Sequence, residues 1–131
     1  MLIYGTGGHA LEILDEMVQF DTSNLCFFND RDKDLTEFYN YPVLKSIEEI
    51  IEKLGSSFEF VIGIGKPILR QQKQLELINC GGKAISMISR HSKIANFDIE
   101  LGKGLNIMSN VQISSRVSIG DGCLINRNTN I

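Results

Sequence analysis

LGKGLNIMSNVQISSRVSIGDGCLINRNTNI, residues 101–131, is periodic in a way that the rest of the chain is not. Taken in sixes it carries one aliphatic column: Leu101, Ile107, Ile113, Ile119, Ile125 and Ile131. A second column lies two residues ahead of each, at Ile99, Leu105, Val111, Val117, Cys123 and Thr129. A helix repeats at 3.6 residues and a plain strand at 2.0, so a period of six belongs to neither alone. It is the period of hexapeptide repeats, in which each hexad gives a short strand and a turn. Three hexads then close one triangular coil of about 18 residues. The spacing predicts that Leu101 stacks with Ile119, Ile107 with Ile125 and Ile113 with Ile131, the columns pointing inward. An ordinary antiparallel β-domain is the alternative, and it gives no reason for six aliphatic matches in a row.

The first two thirds read differently. Leu2–Tyr4 is a short apolar strand, followed by the turn Gly5-Thr6-Gly7-Gly8-His9. Ala10, Leu11, Leu14, Met17 and Val18 mark one face of a helix ending near Phe20. Leu25–Phe28 is a second buried strand, with Asn29-Asp30 at its end. Asp32–Tyr41 is polar and reads as a loop with a helical turn, and Pro42–Leu44 as a short edge strand. Ser46 and Glu49 form a capping box that opens a helix to Leu54, stopped by Gly55. Phe58–Ile64 is a third strand ending in Gly63-Ile64-Gly65-Lys66, and Pro67 opens a helix to about Asn79. Lys83–Ser89 is read as a fourth strand. Alternation of this kind predicts a parallel sheet with helices on both faces.

Such sheets bind ligands beyond the carboxyl ends of their strands. Three turns converge there: Gly5–His9, Asn29-Asp30 and Gly63–Lys66. A glycine turn opening a helix presents backbone N–H groups to phosphates, and the G-x-G-x-x-G pattern is met with Ala10 in the third position. Asp30 is placed to accept hydrogen bonds from a ribose or base, and His9 to donate beside a phosphate. Arg70, on the first turns of its helix, points back toward the strand ends.

Composition narrows the function. A net charge of −3 gives no electrostatic argument for nucleic acid or an anionic membrane. Cys26, Cys80 and Cys123 are odd in number and scattered, which suggests a reducing compartment. With two histidines, His9 and His91, no metal cluster is expected. No apolar run is long enough to span a bilayer and no signal peptide is seen, so no membrane insertion is expected and the cytoplasm is the expected location.

The strings YGTGGHALEI (4–13), FFND (27–30), FVIGIGKPILRQ (60–71), ISRHSKIA (88–95) and IGDGCLINRNTNI (119–131) together give a resemblance that covers the whole chain. In this order and spacing it resembles the bacterial sugar O-/N-acyltransferases of sialic acid O-acetyltransferase type, including those acting on UDP-linked 4-amino sugars. The resemblance implies a small Rossmann-like α/β domain for the nucleotide sugar, residues 1–89. The start of a left-handed β-helix of hexapeptide repeats follows at residues 90–131, under two full coils. It places Gly5, Gly7, Gly8 and His9 at a UDP pyrophosphate, with Asn29 and Asp30 at the uracil or ribose. Gly65 and Lys66 line the far side, Lys66 standing where the family more often has a neutral or acidic residue, and Arg70 matches a family arginine. Acetyl-CoA is the implied co-substrate, held between subunits of a homotrimer.

Ile125-Asn126 match the opening of the family's catalytic coil, with Arg127 in place of a threonine, and counting on puts the catalytic histidine beyond Ile131. The chain alone is therefore expected to be inactive and to bind no cofactor, though it can self-associate. A non-catalytic nucleotide-sugar-binding module is the alternative. An NAD-binding oxidoreductase domain is a third reading, but such a domain has no use for hexads.

Overall fold

The computed structural model describes residues 1–18 and 20–131. It is a mixed α/β protein with a parallel-rich sheet and three helices, and it divides into two compact units, Met1–Ala84 and Ile85–Ile131. In the first unit the order is β1 (Leu2–Tyr4), α1 (Gly8–Met17), β2 (Cys26–Phe28), β3 (Glu37–Phe38), β4 (Tyr41–Leu44), α2 (Ile47–Leu54), β5 (Glu59–Ile62), α3 (Pro67–Asn79) and β6 (Lys83–Ala84). The sheet order is β3-β4-β2-β1-β5-β6. All neighbours are parallel except the β3–β4 pair.

Strand alternation builds the core. Leu2, Tyr4, Cys26, Phe28, Phe60 and Ile62 share one face and pack with Ile50 of α2 and Leu77 of α3. Ser46 caps α2, its Oγ accepting from the Glu49 N–H at 3.2 Å, while Glu49 Oε2 accepts from the Lys45 N–H at 2.8 Å. The reciprocal bond of the capping box thus lands one residue ahead of the cap. α1 ends at Met17, one turn before the expected Phe20; Gln19, within that turn, lies outside the described residues.

The stretch expected to be a loop with a helical turn is instead a β-hairpin. Its tip, Tyr39 and Asn40, has φ of 47° and 67°, so both central residues adopt the left-handed region that two-residue hairpins favour. Aromatic packing compensates for an unfavourable tip: Phe38 lies 4.8 Å and Tyr41 6.1 Å, edge to face, from the buried Phe27.

The second unit visits three small sheets in rotation. β7 (Met87–Ile88), β10 (Asn106–Ile107) and β13 (Leu124–Ile125) form one. β8 (Lys93–Ile94) pairs with β11 (Gln112–Ile113), and β9 (Ile99–Leu101) with β12 (Val117–Ile119), all parallel. Residues in the left-handed region recur every six positions, at Asp98, Gly104, Asn110, Arg116, Gly122 and Asn128. Four of the six are Gly or Asn, the types that turn such corners at least cost. Leu105, Ile107, Val111, Ile113, Ile119 and Ile125 form the buried core.

Two expectations need correction. Lys83–Ser89 is not one strand: Lys83–Ala84 closes the first sheet, and Met87–Ile88 pairs with Asn106–Ile107 in the second unit. The division therefore falls five residues before the expected one. Leu101, Cys123 and Ile131, expected inward, are exposed.

Candidate functional site at the carboxyl edge of the sheet

β2, β1 and β5 run parallel side by side, so the turns that follow them reach one edge. The glycines there divide into two kinds. Gly5 has φ of 104°, and a Cβ on it would meet the Gly63 carbonyl oxygen at 2.9 Å. A Cβ on Gly63 would meet the Tyr4 carbonyl oxygen at 2.7 Å and Ala10 Cβ at 3.1 Å. Both are packing glycines that let β1, β5 and α1 close together. Gly7, Gly8 and Gly65 are exposed, and a Cβ there would find nothing within 4 Å. Gly7 is the N-cap of α1 and supplies no side-chain acceptor, so the first N–H groups of that helix have no cap from it.

Asn29 and Asp30, adjacent in sequence, face different partners. Asn29 joins the glycine turn: its Nδ2 donates to Thr6 Oγ1 at 2.8 Å, while Oδ1 accepts from the N–H groups of Arg31 and Asp32. His9 Nδ1 lies 3.3 Å from Glu12 Oε2 on the first turns of α1. Asp30 turns toward α3. Tyr4 donates its hydroxyl to Asp30 Oδ1 at 3.0 Å, and Lys73 donates to Asp30 Oδ2 at 2.8 Å and to Glu76 Oε2 at 2.9 Å.

Burial pushes the Asp30 carboxyl upward, but the hydrogen bonds from Lys73 and Tyr4 and the Lys73 charge outweigh it, so its pKa falls below the ordinary 3.8. Burial likewise works against the Lys73 ammonium, and the bonds to Asp30 and Glu76 more than reverse this, raising its pKa. Burial, then the bond to Asp30, raises the Tyr4 phenol. A carboxylate with a depressed folded-state pKa contributes stability that is present above its unfolded value and lost as pH falls through the folded one. Acid unfolding followed by circular dichroism should therefore show stability draining away below about pH 3.8. Asp30→Asn should flatten that limb; an unchanged acid limb would remove Asp30 from the account.

Arg70 is buried, and its Nη1 donates to the carbonyls of Ile62 at 3.0 Å and Ile64 at 2.8 Å. It ties the end of β5 and shapes the Gly63–Lys66 turn from beneath, while Lys66 itself is exposed. Tyr4 and Lys73 were not legible as site residues. Tyr4 reads as a strand residue, and Lys73 as a solvated helix position; its one signal is the three-residue spacing from Arg70 on a helix face.

Elsewhere, His91 is exposed and sits 3.4 Å from Arg90 Nε through its Nε2. A cavity of about 750 Å³ lined by Thr22–Leu25, Asn40–Pro42, Lys53 and Leu54 lies at the amino ends of β2 and β4, opposite the glycine turns. Its walls bring Lys53 as a lone charge, and the Thr22 and Tyr41 hydroxyls bond each other at 2.8 Å. Among the described residues, no three His, Cys, Asp or Glu side chains group to hold a metal, and no helix is long and apolar enough to cross a membrane.

Comparison with known proteins finds the PglD N-terminal domain family over residues 1–77. No curated protein matches. Among solved structures, WeeI from Acinetobacter baumannii AYE is similar at a TM-score of 0.88 and 21% identity, over 99% of this chain and 62% of that one. PerB from Caulobacter crescentus, solved with CoA and GDP-perosamine, gives 0.81 and 21% over 99% and 61%. The acetyltransferase domain of PglB from Neisseria gonorrhoeae, solved with acetyl coenzyme A, gives 0.80 and 17% over 99% and 62%. The chain thus spans about three fifths of the length of these structures.

Proposed function

The chain belongs to the PglD N-terminal domain family, and from that premise we propose that it is the substrate-binding portion of an acetyl-CoA-dependent acetyltransferase for a nucleotide-linked amino sugar. The observation that carries this reading is the open set Gly7, Gly8 and Gly65. Among the described residues no atom would meet a side chain at these positions, and a pyrophosphate approaching the backbone gives a reason for their bareness. The N-terminus of α1 would add its partial positive charge to the same place. We take the nucleotide to be UDP, with Asn29 and Asp30 at its base or ribose. His9 would stand at the phosphates and Lys66 at the rim.

The second unit, in this reading, opens a left-handed β-helix of hexapeptide repeats that presents acetyl-CoA between the subunits of a homotrimer. The 18-residue register of β9–β12 and β10–β13 and the six-residue spacing of its left-handed corners support that assignment. Acyl transfer from a thioester to a sugar amine or hydroxyl needs a base for the acceptor's proton and a donor for the oxyanion. We assign neither role to His9, which Glu12 engages, nor to His91. The three free cysteines fit a reducing, cytoplasmic setting.

Calorimetry with UDP, UDP-N-acetylglucosamine and NAD tests the reading. The uridine nucleotides should bind more tightly than NAD, and Asp30→Ala should weaken them by about 1.5–3 kcal/mol, the worth of a hydrogen bond to a charged group. Tighter binding of NAD would sink it.

A further inference from the structure

Asp30 and Lys73 meet just past the end of β2 with opposite hydrogen-bonding capacities. Asp30 Oδ1 accepts from the Tyr4 hydroxyl at 3.0 Å and Oδ2 from Lys73 Nζ at 2.8 Å, and each oxygen keeps a further lone pair. An ionised carboxylate can only accept. Lys73 gives two of its three N–H groups to Asp30 and Glu76, and the third is left for an acceptor on a ligand. An ammonium can only donate. Tyr4 holds both partners, its hydroxyl on Asp30 and its ring centroid 5.3 Å from Nζ. The Asp30 side chain is 29% exposed and that of Lys73 12%, so the pair is pinned yet within reach of a ligand.

We propose that Asp30 and Lys73 together read the edge of the base, taking a carbonyl beside a ring N–H and rejecting an amino group beside a bare ring nitrogen. The inference rests on the nucleotide-sugar reading above and deepens it, adding Lys73 as a specificity-determining residue. Uracil presents O4 beside N3–H, so O4 accepts from Lys73 while N3–H gives to Asp30. Guanine presents O6 beside N1–H in the same order, and the pair serves both. Cytosine has the shape of uracil with the two groups inverted. Its N4 amino group would aim an N–H at the ammonium, and its bare N3 would face the carboxylate. Neither side chain can turn to suit, since a carboxylate has no proton to give and an ammonium no lone pair. The mismatch selects by repulsion as well as by lost attraction. Sliding cytosine along the pair to restore a match would draw its phosphates off the glycine turn.

The test is calorimetry of the full chain at neutral pH and one salt concentration, with UDP against CDP and with GDP against ADP. The parent should favour UDP over CDP by about tenfold or more, the scale of one charge-assisted hydrogen bond. Lys73→Met, similar in length but uncharged, should cut that ratio by about fivefold or more, UDP weakening while CDP holds. Lys73→Arg, which also can only donate, should keep most of the preference. A Lys73 that merely tied α3 to the strand end would weaken both pyrimidines together and leave the ratio alone. Thermal melts of each variant confirm folding. If Lys73→Met does not fold, Lys73→Gln offers an amide that can present either a donor or an acceptor, and should cut the ratio in the same way. A parent that binds none of the four overturns the nucleotide reading and this inference with it. A parent that takes only purines overturns the choice of uridine, and the inference then holds if GDP beats ADP and fails if it does not. A parent that binds UDP and CDP equally, or whose ratio is untouched in the uncharged variants, overturns the inference alone.

Discussion

Arg70→Leu is expected to lower the stability of the first unit by about 3–6 kcal/mol, the sum of two hydrogen bonds from a charged donor. The guanidinium is buried and donates to two carbonyls at the end of β5, so no water stands ready to replace it. For a unit of this size that loss is on the order of 15–30 °C in melting temperature. Urea unfolding at neutral pH measures it directly. Arg70→Lys should recover part of the loss, because an ammonium can reach a carbonyl without forking across both. The Gly63–Lys66 turn loses its tie in Arg70→Leu, so nucleotide affinity should fall alongside stability in that variant. A loss below about 1 kcal/mol, the worth of one ordinary hydrogen bond, would show that Arg70 is dispensable to the strand end.

The glycines give the second large effect, and they separate fold from ligand. Gly63→Ala should cost about 2–4 kcal/mol, at the upper end of overpacking penalties, because the new methyl meets a backbone carbonyl at 2.7 Å. The Tyr4 oxygen cannot move aside without opening β1 from β5, where it accepts from the Gly63 N–H at 2.7 Å. Gly7→Ala and Gly65→Ala should leave stability within about 0.5 kcal/mol, as open surface substitutions do. Gly7 has φ of −100°, which any residue adopts. Both should nevertheless weaken UDP about tenfold or more if phosphates approach the backbone there. Denaturation and calorimetry on the same preparations read both axes. Gly63→Ala as stable as the parent would contradict the packing account, and Gly7→Ala with undiminished nucleotide binding would contradict the site.

Local signals were legible where one residue type carries them. Ser46 with Glu49, Gly55 and Pro67 marked α2 and α3 because caps are short-range chemistry. The hairpin β3–β4 was missed because its tip is Tyr39-Asn40 rather than Asn-Gly, and its support comes from Phe27, across the sheet. The start of the second unit was missed for a different reason. Met87 pairs with Asn106 and Lys93 with Gln112, 19 residues on, while Ile99 pairs with Val117, 18 on. The corner 95–98 has one residue more than its counterpart 114–116, and carries the exposed Phe97. A single added residue hides the period from a reading in sixes. The Tyr4–Asp30–Lys73 constellation was illegible because its members are 26 and 43 residues apart and only the fold joins them.

The two pairing schemes also set different conditions for folding. β1 sits at the middle of its sheet, yet its partner β5 lies far along the chain: Leu2 pairs with Phe60. Closing that loop must wait for most of the first unit to be available, and distant pairings of this kind slow folding. In the second unit every pairing spans 18 or 19 residues, so each coil needs only the one before it as a template. As the chain emerges from a ribosome, β1 must wait for Phe60 before its pairing with β5 can form, whereas the second unit can lengthen by accretion, one coil at a time.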